Sequence, residues 1–334
     1  MGTALAAEKI GVAMPTNSLQ RWNQDGANMK EQLEAAGYEV DLQYADNDVA
    51  KQVGQIENML MDSKVLVIAS IDGSALGTVL ADAKQAGIPV IAYDRLIMET
   101  DAVNYYATFD NYMVGTIQGQ YVIDTLDLDK AEGPFTIEFT AGAPDDNNAR
   151  YFFAGAFDLL KPYIDSGKLV VKSGQTEFET VATPSWDSAK SQARMENIIA
   201  GYYADGTKLD VALCSNDSTA QGVTNAWVQA GFEAGEDFPI VTGQDCDIVS
   251  VKNMIKGTQA MSVFKDTRTL ASKVVAMVDA LMKGETPEIN DTETYDNGKV
   301  VVPSYLCAPV FADLSNYKEL LLDSGYYTEA QLTD

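Results

Sequence analysis

Residues 89–95 read Pro89-Val90-Ile91-Ala92-Tyr93-Asp94-Arg95. Four apolar residues in a row suit a strand buried on both faces, and the run stops abruptly at an acid–base pair. The same figure recurs twice. Val211-Ala212-Leu213-Cys214-Ser215 stops at Asn216-Asp217, and Pro239-Ile240-Val241-Thr242-Gly243 stops at Gln244-Asp245. An apolar strand followed by a helix is a βα unit of a parallel sheet, and in open sheets of this kind ligands bind beyond the carboxyl ends of the strands. Asp, Asn, Arg and Gln at those ends predict a polar pocket. Its occurrence in both halves predicts two sheets.

Working outward, the first half reads as βαβαβαβ. Strands are predicted at 10–14, 40–44, 65–69, 90–93 and 105–109. Helices are predicted at 26–36, 49–61 and 75–86, the first and last stopped by Gly37 and Gly87. The second half alternates again. Strands are expected at 135–139, 169–172, 211–214, 240–242, 261–264 and 300–306, and helices at 148–164, 188–203, 219–230 and 267–282. The fold class is therefore α/β, with two doubly wound parallel-sheet lobes. The absence of a low-complexity linker predicts several short crossovers that act as a hinge.

Composition narrows the function. The chain has 334 residues, room for two domains, and a formal net charge of −26. That charge disfavours nucleic acid and anionic membrane surfaces as partners. There is no histidine, which removes histidine-based nucleophile systems and histidine zinc sites. Cys214, Cys246 and Cys307 are far apart and read as buried free thiols. No dinucleotide fingerprint, phosphate loop or calcium loop is present, and Asp124 to Asp129 reads as an exposed helix end. No cofactor and no metal are expected. The apolar stretch Met1 to Ala7 lacks the basic and long hydrophobic regions of a secretory signal, and reads as the tail of a removed one or as an ordinary terminus.

Some residues exceed structural need. Trp22 stands in what reads as a polar loop, Asn17 to Trp22. It either caps the core edge or offers a flat face to the C–H side of a pyranose. Trp186 is a candidate opposing platform. Asp94-Arg95 is either a structural ion pair or a donor–acceptor couple for hydroxyls, since charge-assisted bonds are about twice as strong as neutral ones. In Asp145-Asp146-Asn147-Asn148, helix capping explains one residue of the four.

Longer motifs carry a resemblance. Gln55-Ile56-Glu57-Asn58-Met59, Ala92-Tyr93-Asp94-Arg95, Pro144 to Ala149, Leu160 to Lys168, Ser215-Asn216-Asp217, Gly243-Gln244-Asp245 and Phe264-Lys265 resemble the periplasmic sugar-binding proteins of the ribose/xylose cluster. The likeness is strongest toward the xylose-binding and multiple-monosaccharide-binding members, and runs from about Lys9 to Leu332. It departs in the residues before Arg21 and at Cys246, where a smaller neighbour is expected.

The resemblance implies two lobes joined by three crossovers, residues 8–111 plus 265–298 and 112–264 plus 299–334, with a sugar in the cleft. It implies contacts from Arg21, Trp22, Asp94 and Arg95 of the first lobe and from Asp146, Asn148, Trp186, Asn216, Asp245 and Lys265, with Asp217 nearby. It further implies an extracytoplasmic receptor for a monosaccharide (xylose, glucose, galactose or arabinose). The partners would be the permease of an ABC importer and a chemoreceptor or sensor kinase. Two other classes compete. A sugar-responsive repressor would need a basic helix-turn-helix before residue 9. A glycosidase would use two of Asp94, Asp146 and Asp245 as acid and base.

Overall fold

The computed structural model describes residues 7–235 and 238–333; Met1 to Ala6 of the N-terminal stretch lie outside the described residues. In chain order, the first elements are β1 (Lys9–Met14), α1 (Gln20–Ala35), β2 (Glu39–Tyr44), α2 (Val49–Met59), β3 (Ser63–Ile68), α3 (Gly77–Ala86), β4 (Val90–Tyr93) and β5 (Tyr105–Phe109). Next come α4 (Asn111–Thr125), β6 (Phe135–Thr140), α5 (Asn147–Asp165), β7 (Leu169–Val170), α6 (Phe178–Val181), a 3-10 turn (Pro184–Trp186) and α7 (Ser188–Tyr202). They are followed by β8 (Val211–Cys214), α8 (Asp217–Gln229), β9 (Ile240–Val241), α9 (Ile248–Lys256) and β10 (Met261–Phe264). The chain finishes with α10 (Thr267–Lys283), β11 (Ser304–Cys307), β12 (Val310–Asp313), a π-helical turn (Lys318–Asp323) and α11 (Glu329–Leu332).

These elements form two compact units. The first takes the chain up to Phe109, Asp145–Asn147 and Asp266–Ala308. The second takes Asp110–Pro144, Asn148–Lys265 and the chain from Pro309. The expected boundary at 298 is corrected to Ala308, because β11 pairs parallel with β5 and so completes the first sheet.

The first unit holds a six-stranded sheet in the order β11-β5-β4-β3-β1-β2, parallel throughout. Chain direction across the sheet reverses beside β1, so the loops after β1 and β3 diverge and leave a crevice at their carboxyl ends. Ile10, Val12, Val65, Val67, Ile91 and Phe109 are buried with Met29 and Leu33 of α1 and Leu270 and Val274 of α10. The covering helices are bonded as well as packed: Asn28 donates to Thr267 Oγ1 at 2.8 Å and Tyr38 to Asp279 at 2.6 Å.

The second unit repeats the winding. Its strands run β7-β6-β8-β9. A parallel bridge between Gln244 and Val263 carries the pattern on to β10, which pairs antiparallel with β12. Trp227, Met195, Ile198, Val223 and Val241 form one core cluster, and Val251, Met254, Phe264, Leu321 and Tyr327 another. Cys214 and Cys307 lie in β8 and β11, and all three cysteines are free and buried.

Several expected elements shift, for physical reasons. Helix α1 begins at Gln20 rather than Gly26, so Arg21 and Trp22 belong to a helix and not to a loop. Its inward face continues through Arg21, Trp22 and Asp25, where charged residues stand at positions that periodicity expects to be apolar. Helix α4 has no counterpart in the sequence reading, because its buried side is Gly115, Gln118 and Gly119 among few large apolar residues. The strand expected at 300–306 shortens to Ser304–Cys307, after a turn in which Asp296 and Val301 bridge. The strand at 169–172 keeps two residues.

Glycines set the approach of α4 to α5. A Cβ on Gly115 would stand 2.0 Å from the Phe152 carbonyl oxygen, and one on Gly155 would stand 2.1 Å from that of Tyr112. The backbones must separate to admit even a methyl group. Gly155→Ala is expected to lower stability by about 1–3 kcal/mol, read as an earlier midpoint in urea unfolding; an unchanged midpoint would show that the crossing has slack.

Candidate functional site

In the first unit, five expected residues gather at the strand ends. Arg21, in the first turn of α1, donates from Nε to Asp25 at 2.9 Å and from Nη2 to Asp94 at 2.5 Å. Asp94 follows β4 directly and adopts a positive φ of 59°. The Arg95 N–H closes a tight turn onto the Tyr93 carbonyl at 2.6 Å, and the Asp94 carbonyl accepts from Tyr106 and Thr108 hydroxyls at 2.5 and 2.9 Å. A non-glycine residue held left-handed costs on the order of 1 kcal/mol or more, and persists where the surroundings over-determine it. Here the turn sets Asp94 toward Arg21 and Arg95 toward the ends of β3.

Arg95 donates from Nη1 to the carbonyls of Ser70 (3.0 Å) and Ile71 (3.3 Å), just past β3. Its Nε lies 2.9 Å from Asp146 Oδ2, an ion-pair distance, but the N–H is not aimed at that oxygen and makes no hydrogen bond. Asp146, expected from the second lobe, packs within the first unit together with Asp145 and Asn147. Both guanidiniums lie over the Trp22 ring, 5.3 Å (Arg21) and 5.1 Å (Arg95) from its centroid. Trp22 is 3% exposed and part of the core. It is therefore a buried floor under two cations and not a side chain of a polar loop. Cation–π attraction of this kind contributes about 0.5–2 kcal/mol per contact.

In the second unit the loop after β9 carries the chemistry. Asp245 (φ 94°) and Cys246 (φ 51°) are both left-handed. The Asp245 N–H donates to the Val263 carbonyl at 2.8 Å, and its carboxylate meets Lys265 Nζ at 2.9 Å. Lys265 directly follows β10, is 3% exposed, and sits 5.4 Å from the centroid of the Phe152 ring. Trp186, at φ 56° in the 3-10 turn, meets Phe152 edge-on at 6.2 Å, and its carbonyl accepts from Ser218. A Cβ on Gly142 would stand 1.9 Å from the Trp186 indole, so only glycine there lets the ring lie against the end of β6. Asn148, 1% exposed, is one helical turn before Phe152 on α5. Asn216 caps α8: its Oδ1 accepts from the Thr219 N–H at 3.0 Å, which leaves its amide N–H groups to donate elsewhere.

Asp217 is a buried hub. Its carboxylate accepts from Gln259 Nε2, Ser262 Oγ and the Asp247 N–H at 2.8–3.0 Å, and so fixes both sides of the 245–247 turn. A Cβ on Gly243 would stand 2.1 Å from its Oδ1. Gln118 of α4 donates to the carbonyls of Ser215 and Gly243 and ties the ends of β8 and β9 together. Sequence reading missed Asp25, Gln118, Phe152 and the scaffold role of Asp217. Two of them had a signal: Asp25 stands four residues after Arg21, and Phe152 four after Asn148.

Burial, with the charges of Asp247 and Asp245, raises the Asp217 carboxyl well above its ordinary value. A carboxyl raised on folding binds its proton more tightly in the folded state. Its contribution to stability is thus largest below the unfolded value, about 3.9, and declines as pH rises through the folded one. The melting temperature of Asp217→Asn, measured from pH 4 to 8, is expected to gain on wild type as pH rises; a constant difference would show an unperturbed Asp217.

Comparison with known proteins agrees with this architecture. A family model described as a periplasmic binding protein domain matches residues 10–286. The chain is similar to the multiple sugar-binding periplasmic receptor ChvE of Rhizobium radiobacter, 52% identical over 98% of this chain and 94% of the relative. It is similar to the D-xylose-binding periplasmic protein of Escherichia coli, at 34% identity over 97% and 92%. The crystal structure of an ABC transporter solute-binding protein from Clostridium phytofermentans with bound β-D-glucose superimposes with a TM-score of 0.95 at 66% identity, covering 98% of this chain and all of that one. Two parallel sheets wound alike, each with paired charges at its strand ends, are thus the frame of a solute-binding protein, and the chain belongs to the periplasmic binding protein family.

Proposed function

We propose that this protein is the solute receptor of a sugar ABC importer and that the charged groups gathered at its strand ends bind a monosaccharide. The observation that carries the reading is the pairing of acids with buried cations at the strand ends of each unit: Arg21 with Asp94 and Arg95 with Asp146, and Lys265 with the partly buried Asp245. A sugar hydroxyl both donates and accepts. Carboxylates take its proton, while guanidinium, ammonium and the Asn148 and Asn216 amides donate to its oxygens. Trp22, Trp186 and Phe152 supply apolar surface around these groups.

The relatives support the class of ligand. One binds β-D-glucose, and others are named for D-xylose or for multiple sugars. Glucose and xylose differ only by the exocyclic hydroxymethyl group, so a receptor for either reads the same ring hydroxyls. Specificity then rests on buried polar groups that a wrong epimer leaves unpaired, at roughly 1–3 kcal/mol each. A ligand shifts a receptor toward a closed form only by its differential affinity for that form. A membrane permease that recognises the closed form receives the sugar. The family's place outside the cytoplasm suits this role, and no helix among the described residues is long and apolar enough to cross a membrane.

Thermal unfolding and calorimetry against D-glucose, D-xylose, D-galactose and L-arabinose test the reading. At a hundredfold excess over Kd, a bound sugar adds about 2.7 kcal/mol to stability, which raises the melting temperature by a few degrees. Arg95→Ala and Asp245→Ala are each expected to weaken binding at least tenfold while the apo protein still unfolds cooperatively. Flat melting curves with every sugar, from protein freed of bound ligand, would refute the receptor role; wild-type affinity in either variant would remove that residue from the site.

A further inference from the structure

Arg21 does not hold its place by itself. Its Nε donates to Asp25, which is fully buried, and the other oxygen of Asp25 accepts the Tyr93 hydroxyl. Burial outweighs the attraction of Arg21 and raises the Asp25 carboxyl above its ordinary value. A bare hydrophobic residue at this helical position would satisfy the core, so the carboxylate serves something other than packing. The groups form a chain from the sheet interior to the strand ends: Tyr93, Asp25, Arg21, Asp94. Asp25 and Arg21 are spaced i, i+4 on α1, while Tyr93 and Asp94 are consecutive at the end of β4. One carboxylate therefore locks the helix to the strand across the guanidinium.

We propose that Asp25 is a positioning residue for sugar recognition: its carboxylate clamps the Nε edge of Arg21, so that the guanidinium presents its other edge to Asp94 and to the ligand. This rests on Arg21 being a sugar contact. A guanidinium has five donors in a rigid planar fork, so fixing one edge fixes the direction of the rest. Without the clamp the side chain keeps its charge and loses its aim, and binding must supply the entropy of ordering it.

Sugar affinity measured by calorimetry with D-glucose and D-xylose in a double-mutant cycle tests the clamp. Asp25→Asn keeps the shape but sets an amide donor against the Nε–H of Arg21 or the hydroxyl of Tyr93. It is expected to weaken binding about tenfold or more in the wild-type background and less than twofold in the Arg21→Ala background. Tyr93→Phe, which deletes only the second donor to Asp25, is expected to weaken binding threefold or more, again only while Arg21 is present, and it supplies the cycle if Asp25→Asn does not fold. Equal losses with and without Arg21 would mean a merely structural carboxylate and would overturn the proposal, as would wild-type affinity in Asp25→Asn or, where that variant does not fold, in Tyr93→Phe. Wild-type affinity in Arg21→Ala itself would refute the contact on which the proposal stands, and leaves the receptor reading to the sugar panel.

Discussion

A charge taken out of water costs several kcal/mol unless a partner and hydrogen bonds replace the solvent, and this constraint shapes both ends of the molecule's chemistry. Arg21, Asp25, Asp94, Arg95 and Asp146 are all less than a tenth exposed, as is Lys265, and every one lies against an opposite charge. Replacing such pairs by apolar residues is often neutral or stabilising. Their presence at the ends of strands in two separate sheets is the ground for the ligand-binding role proposed for them. In the proposed role, the same pairs would hold donors and acceptors in place before a ligand arrives, which lowers the entropy lost on binding.

Backbone conformation turns this constraint into geometry. Asp94, Trp186 and Asp245 all adopt positive φ, each within a few residues of a strand end or a tight turn. Each is secured by bonds from elements that are already fixed: Tyr106 and Thr108 of β5 for Asp94, Ser218 of α8 for Trp186, and Val263 of β10 for Asp245. Local strain of this kind lasts only where packing enforces it. The sheets are thus the source of the site's precision, and Asp217 and Gln118 extend that support beneath the strand ends of the second unit.

The strands were legible because burial on both faces of a parallel sheet demands uninterrupted apolar runs, as at Val90–Tyr93 and Val211–Cys214. The polar residues just beyond them were legible for the complementary reason: nothing in the core needs them. Among the elements that escaped, α9 and β12 are short, and two others have inward faces that are not apolar. The first two turns of α1 face Arg21 and Asp25 inward, and α4 faces Gly115, Gln118 and Gly119 inward, so neither stretch shows the expected periodicity. Strand β11 was read too early because Val300 and Val301 look like core yet are more than a third exposed.

By itself the sequence determined the class of fold, its duplication, and the residue types gathered at the strand ends, since these follow from hydrophobic period and from charge that the core cannot use. Only the tertiary structure decided that Trp22 is a floor beneath two arginines, that Asp146 packs with the first unit, that Asn216 is a helix cap and Asp217 a hub, and that Asp25 stands behind Arg21. The physical reason is that these roles are properties of pairs distant in the chain. Asp25 meets Tyr93, and Asp217 meets Ser262, only after separate strands and helices have packed, and no local pattern encodes which charge will find which partner.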